Sequence, residues 1–269
     1  MNDLRTLGAF IKRDFLIEVS YRTAFVLQAL GIVSSVLIFY FIAHVVDAPP
    51  ATPGLDGVDY FAYILVNLAF YHYLSSAMMS FANKIRTEQT SGTLEAMLVT
   101  PTRTGTIVLG SSLWEFLLTS VKAAAYLAVG KFFFDIGIRA DGLLSGLLVL
   151  ALTVAAFSGI GILAAAFVLY MKRGDPITYL VASGSALLGG VFYPPEAMPA
   201  LLEWGSRLLP VTYGLRALRR ALLLGAPLRD LLPDIQALIL FTAILLPLGL
   251  VAFRFAVGRA RREGSLVQY

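Results

Sequence analysis

Glu88, Gly92, Thr93, Glu95, Thr100 and Pro101 fall in the stretch KIRTEQTSGTLEAMLVTPTRT, residues 84–104, a charged island between two long apolar segments. Their chemistry is that of a joint rather than of a reaction. Gly92 can cap a helix with Glu95 at its third position, where a carboxylate favours the free backbone N–H groups and the positive end of the helix dipole. Thr100 precedes Pro101 and is therefore pushed out of the helical region, so that helix is limited to about two turns. Pro101 suits the first turn of a following helix with Thr100 as its cap. The island cannot lie in hydrocarbon unless its charges are paired, and the expectation is that it sits in water. An ordinary loop between membrane helices is the plain alternative.

The remaining candidates lie within apolar segments. Tyr60, Tyr63, Asn67, Tyr71, Ser75 and Met78 recur at three- and four-residue spacing and share one side of a helix. Such a face is costly against lipid, so it meets protein or water; packing within the subunit is favoured over lining a pore. His72 lies off that face, and His44 does not stand at a metal-like spacing from it, so both read as packing residues. Glu115 and Lys122, seven residues apart, fall on nearly one face, and Glu115 is placed to meet the charged island or a neighbouring helix. The chain contains no GxxxxGK[ST] loop, HExxH, GxSxG or cysteine, which argues against ATP hydrolysis by this chain, the common intramembrane enzymes and any thiolate site.

These residues are carried by a chain of 269 residues that is 58% hydrophobic and only 14% charged, with a mean hydropathy of +0.78. That balance belongs to an all-α integral membrane protein. The net charge of +4 requires no nucleic-acid partner, because the basic residues gather at the ends of spans. Residues 4–20 place Leu4, Leu7, Ile11 and Phe15 on one helical face, as in a helix lying in the membrane interface, with a solvated helix leading into the first span as the alternative, and this segment is unlike a cleavable signal. Asp14 and Glu18 intrude on the apolar arc; either the helix tilts or they meet a cation on another element. Six spans are expected, at roughly residues 23–46, 60–82, 106–134, 143–171, 177–193 and 235–255. The acidic loop after the first span faces outward by the positive-inside rule, which leaves the island and both termini in the cytosol. Small residues at Ala151, Ala155 and Gly159, and at Ala182, Ala186 and Gly190, form two seams suited to close helix approach.

Between the fifth and sixth spans, a segment broken at Pro210 is too polar to span and too apolar for a free loop. Two short helices dipping into the outer leaflet would satisfy its backbone, although Arg207, Arg216, Arg219, Arg220 and Arg229 would then lie outside, with Glu196, Glu203, Asp230 and Asp234 offsetting them only in part. No internal repeat or linker divides the chain, so residues 1–269 read as one domain.

EQTSGTLEAMLVTP resembles the cytosolic coupling segment of type-2 ATP-binding-cassette exporter permeases, through Glu88, Gly92, Thr93, Glu95, Thr100 and Pro101. The external segment is similar to that family's re-entrant helices through Phe192, Pro194, Pro210, Val211, Thr212 and Tyr213, with Leu209 where Asn is more usual. The resemblance implies a fold of six transmembrane helices with an N-terminal interfacial helix, a cytosolic coupling helix and external re-entrant helices between the fifth and sixth spans. It also implies a non-catalytic permease subunit in the plasma or inner membrane, multi-pass, paired as a homodimer or with a second permease and bound to two copies of a separate ATPase. This chain would bind no cofactor; ATP and Mg would sit in the ATPase. The substrate implied is hydrophobic or amphipathic (a drug, lipid or lipid-linked glycan), with Tyr63, Asn67, Tyr71 and Ser75 on the candidate path. A polysaccharide or O-antigen-type export permease and a self-powered secondary transporter are the alternatives.

The topology is directly measurable, because a chain without cysteine accepts single Cys probes with no background. Probes near Thr52 and Glu203 are expected to label from outside, and probes near Thr90 and Arg173 only after permeabilisation. Outside labelling at Thr90 would reverse the whole arrangement.

Overall fold

A computed structural model describes residues 3–20, 22–45, 58–100, 104–171 and 176–262, and among these the regular structure is entirely helical. In chain order the helices are α1 (Asp3–Ser20), α2 (Arg22–Val45), α3 (Tyr60–Thr90), α4 (Thr93–Val99), α5 (Thr104–Phe134), α6 (Leu143–Met171), α7 (Pro176–Leu188), α8 (Ala200–Ser206), α9 (Pro210–Leu224) and α10 (Leu232–Arg262). Four apolar segments are long enough to cross a bilayer: Val26–Val45, Gly105–Phe134, Ala140–Met171 and Leu228–Ala260. They correspond to four of the six expected spans. The other two differ for separate reasons. α3 has 31 residues, about 46 Å of helix, but tyrosines, Asn67, His72 and its charged last turns lower its hydropathy. α7 has only 13 residues, about 20 Å, which is less than the roughly 30 Å hydrocarbon core.

Two boundaries depart from expectation. α3 does not stop at residue 82; it continues through Lys84 and Glu88 to Thr90, because no Gly or Pro interrupts it before Gly92. The first third of the charged island is therefore the end of a long helix. The fifth segment stops at Leu188 instead of reaching residue 193, and the chain then turns at Gly190 with φ +80. That left-handed conformation is costly for any residue with a Cβ, so Gly190 is a turn glycine and not a member of a helical seam.

α6 is central and packs chiefly against α10 and α3, while α5 lies on the far side of α3 and α1 lies along α5. The apolar core has two storeys. One joins α3 with α6 and α9 through Leu65, Phe157, Leu215 and Leu218, and the other joins the opposite ends of α3, α6 and α10 through Phe81, Ile85, Ile162 and Phe253. α2 is peripheral, with Leu27, Leu30 and Phe41 each more than half exposed. In the expected seam on α6, Ala151 is exposed, and the close approach occurs at Gly159. A Cβ there would lie 2.5 Å from the carbonyl carbon of Leu245, and one on Gly249 would lie 2.4 Å from the Gly159 carbonyl oxygen. The α6 and α10 backbones thus meet directly.

Gly159→Leu is expected to destabilise the protomer by about 1–3 kcal/mol, since the opposing atoms are backbone and cannot swing away. Gly184→Leu, where a Cβ meets nothing within 4 Å, is expected to leave the protomer's thermal unfolding unchanged. Equal midpoints for both variants in detergent would show that the α6–α10 crossing yields easily.

Candidate functional site

The island's geometry is built around Glu88. α3 ends with the Ser91 N–H donating to the Thr87 carbonyl at 2.9 Å and the Gly92 N–H to the Gln89 carbonyl at 3.1 Å. Gly92 then reverses the chain at φ +70 and serves as the N-cap of α4. This is the expected cap, in a conformation that requires glycine. Thr93, the first residue of α4, donates its hydroxyl to the Glu88 carboxylate, which closes the turn. At the other end Thr100 is extended, at φ −66 and ψ 156, as its position before Pro101 requires, and its hydroxyl donates to the Met97 carbonyl at 2.6 Å. The Glu95 side chain and Pro101 lie outside the described residues.

α4 is seven residues long, the two turns expected. Met97 packs against the cluster of Phe81, Ile85, Ile107 and Val257, whereas Val99 is 81% exposed. One side of α4 is thus held to the helical bundle and an apolar side chain is left outside it.

The carboxylate of Glu88 is held from a second direction. Arg13 of α1 reaches it through Nη1 at 2.9 Å and donates through Nε to Asp14 at 2.9 Å, while Lys84 of α3 donates to the other Asp14 oxygen at 3.1 Å. Asp14 and Glu88 are both buried, at 3% and 7% exposure. Burial opposes the charge of Arg13, but Asp14 and Glu88 outweigh it and hold the guanidinium pKa above its ordinary value. A raised basic pKa means that the contribution of Arg13 is complete at lower pH and is lost only as pH rises through that raised value, far above neutrality. The apolar seating of α1 supports the network: the Phe10 ring fills the space beside Gly110, and Phe15 meets Trp114 edge-on at 5.4 Å. Asp14 therefore does meet a cation on another element. Sequence reasoning left Lys84 unnamed as that cation and did not connect Arg13 with Glu88, because the pairs are far apart in the chain and α1 reads as independently amphipathic.

The polar face of α3 divides in two. Asn67 donates to the carbonyls of Gly190 and Val191 at 3.1 and 3.0 Å, Tyr63 donates to Gly190 at 3.0 Å, and Tyr71 donates to Ala182 at 3.1 Å. Arg219, 2% exposed, donates to Asn67 Oδ1 at 3.0 Å and to the Gly190 carbonyl at 3.1 Å, with its guanidinium 4.7 Å from the centre of the Tyr63 ring. These contacts lie inside the subunit. Ser75 instead lines a cavity of about 450 Å³ with His72, Lys84 and Glu115. Glu115 thus shares a cavity wall with the island residue Lys84, as its position suggests. His72 stacks on Tyr126 at 5.6 Å.

Three further arginines around α8 and α9 have local partners. Arg207 pairs with Glu203 at 2.7 Å, Arg216 pairs with Asp234, and Arg220 donates to the Asp230 carbonyl at 3.1 Å. The two helices expected on either side of Pro210 are α8 and α9, with Pro210 opening the second.

A family model described as ABC-2 type transporter matches residues 5–223. This chain belongs to the ABC-2 type transporter family. The matched region runs from α1 with its ion-pair network through α4 and α8 and into the last turn of α9. The chain is 27% identical to "Nodulation protein J" of Rhizobium leguminosarum bv. trifolii over 200 residues, covering 71% of this chain and 72% of that protein. It is also 24% identical to "ABC transporter G family member 20" of Dictyostelium discoideum over 177 residues, 65% of this chain but only 24% of that longer protein. Family membership and the four apolar segments make this ABC-2 type protein a multi-pass membrane protein.

The Arg13–Glu88 pair can be tested by charge exchange. Arg13→Glu and Glu88→Arg are each expected to lower thermal stability, because each leaves a charge at the buried centre without its partner. The exchanged double variant is expected to recover on the order of 1 kcal/mol, a modest value since Arg13 is partly exposed. Strict additivity of the two losses would place the pair among contacts without energetic weight.

Proposed function

We propose that this chain is the permease subunit of an ATP-driven exporter, moving a hydrophobic or amphipathic substrate out of the cytoplasm with energy from a separate ATPase subunit. The observation that carries the reading is α4, a two-turn helix held between α3 and α5 of an ABC-2 type protein, with Val99 facing outward. A helix so short and so tied cannot bend or slide alone. Force applied to it reaches α3 through Gly92 and the Thr93–Glu88 contact, and it reaches α1 through Arg13.

In this reading α2, α3, α5, α6 and α10 are five of the six spans and α7, too short to cross alone, makes the sixth together with the residues that follow it, with both termini and α4 in the cytoplasm and α8 and α9 on the outer side of the inner or plasma membrane. Glu88, Gly92, Thr93, Glu95, Thr100 and Pro101 form the coupling segment. Two permease chains pair, as homodimer or heterodimer, and bind two ATPase subunits, which hold ATP and Mg. The exposed apolar faces of α2 and α7 are available for lipid or for a second permease. On α3, the contacts of Tyr63, Asn67 and Tyr71 support packing within the subunit, and Ser75 is the residue of that set left facing open space.

Gly92→Val and Glu95→Ala test the coupling role. The first forces a β-branched residue into a left-handed turn, at a cost of about 1–3 kcal/mol, and the second removes the carboxylate expected to favour the start of α4, by about 1 kcal/mol at most. Neither is enough to unfold a bundle of this size. Membrane insertion is expected to persist while substrate-stimulated ATP hydrolysis and export fall together, measured on the permease co-expressed with its ATPase. Normal coupling in both variants would return this segment to an ordinary loop.

A further inference from the structure

Two adjoining cavities of about 450 and 270 Å³ lie among α2, α3 and α5, and they share His72 and Ser76. The larger is lined toward the end of α3 by Lys84, Thr87 and Glu115. The smaller is lined by Gln28 and Ser35 of α2 and by Thr119, Lys122 and Tyr126 of α5. Lys122 stands 12 residues, about 18 Å of helix, from the end of α5 at Phe134, and is therefore deep in the roughly 30 Å hydrocarbon layer.

The charges in this cleft are not equivalent. Lys84 is taken by Asp14. Neither Lys122 nor Glu115 has an ion-pair partner among the described residues, and they are about 10 Å apart along α5. An ammonium at that depth is costly unless an anion or water meets it. A second, independent observation lies one helical turn away. Thr119 is 2% exposed, lines the same cavity, and its hydroxyl has no hydrogen-bond partner among the described residues. Thr119, whose buried hydroxyl has no acceptor among the described residues, and Lys122, which has no ion-pair partner among them, thus line one cavity, with Gln28 and Ser35 of α2 on its other wall.

We propose that this cleft is a binding site for the anionic headgroup of an amphiphile, with phosphate or carboxylate oxygens between Lys122 and Thr119. Gln28, Ser35 and Ser76 offer hydrogen bonds to the polar remainder, and the chain leaves past Leu27 and Leu30, two of the exposed apolar residues of α2. Glu115, at the far end, disfavours a second anion. The same chemistry serves a bulk anionic phospholipid or an exported amphiphile, and the binding itself requires only the cleft. The permease reading enters only in deciding which of the two it holds.

The test uses the full-length protein in nanodiscs of phosphatidylcholine with a minor fraction of phosphatidylglycerol, and in parallel a host lipid extract, with retained molecules identified by mass spectrometry. Wild type is expected to retain an anionic amphiphile, with Lys122→Gln reducing retention about tenfold, the loss of one charge-assisted contact. Lys122→Arg is expected to stay within about twofold of wild type, and so is Lys131→Gln at the exposed end of α5. Lys122-dependent retention of phosphatidylglycerol identifies a bulk-lipid site, and Lys122-dependent retention of another anionic amphiphile from the extract identifies the cargo; either supports the proposal. Equal retention by wild type and folded Lys122→Gln overturns it. If Lys122→Gln does not fold, Thr119→Val decides: weakened retention supports the site and unchanged retention overturns it. No ATPase is present in this measurement, so its failure leaves the coupling test standing, and failure of the coupling test leaves this result standing.

Discussion

The carboxylate of Glu88 is the point on which the junction of α1, α3 and α4 depends. It is buried, ionisable and placed where three elements converge, and an isolated charge there would be strongly unfavourable. Arg13 and the Thr93 hydroxyl satisfy it from α1 and α4, so its desolvation is tolerated only when both neighbours are seated. Breaking either contact leaves a buried charge partly unmatched, which makes the three-way junction cooperative. The value of such a junction is less its net contribution to stability than the single relative position it selects for α1, α3 and α4.

At the opposite end of α3 a similar logic operates without a carboxylate. Arg219 is almost completely buried and is met by an amide oxygen, a backbone carbonyl and an aromatic face. The carbonyl belongs to Gly190, which also accepts from Tyr63 and Asn67. A carbonyl can serve so many donors only because the left-handed turn at Gly190 directs it away from the helical ladder. The turn after α7, helix α9 and the beginning of α3 are thereby fixed together. Among the arginines of residues 207–229, Arg207 and Arg216 meet carboxylates, whereas Arg219 and Arg220 meet neutral acceptors.

Much of this was legible in the chain. The two-turn helix opened by Gly92 and closed before Pro101, the break at Pro210 and the long apolar spans follow from backbone rules that act over a few residues. The extension of α3 past residue 82 was obscured because charge suggests an exit from the membrane, whereas helix continuity depends only on the absence of a breaker. Gly190 read as part of a small-residue seam because spacing alone does not distinguish a helical glycine from one at left-handed φ. The ion pairs of Arg13 and Lys84 were not legible, since nothing local ties residue 13 to residue 88. Asp14 was the available signal: a carboxylate on an apolar face implies a cation without naming it.

α3 runs unbroken from Tyr60 to Thr90, with the Gly190 carbonyl bonded near one end and the Glu88 carboxylate bonded near the other. It contains neither proline nor glycine, so it has no built-in hinge. A stiff element about 46 Å long converts angle into distance: a tilt of about 5° about one end moves the other by about 4 Å. The two polar anchorages are therefore geometrically linked, and a rearrangement at the Glu88 junction too small to break a hydrogen bond can still exceed hydrogen-bonding tolerance at the Gly190 turn.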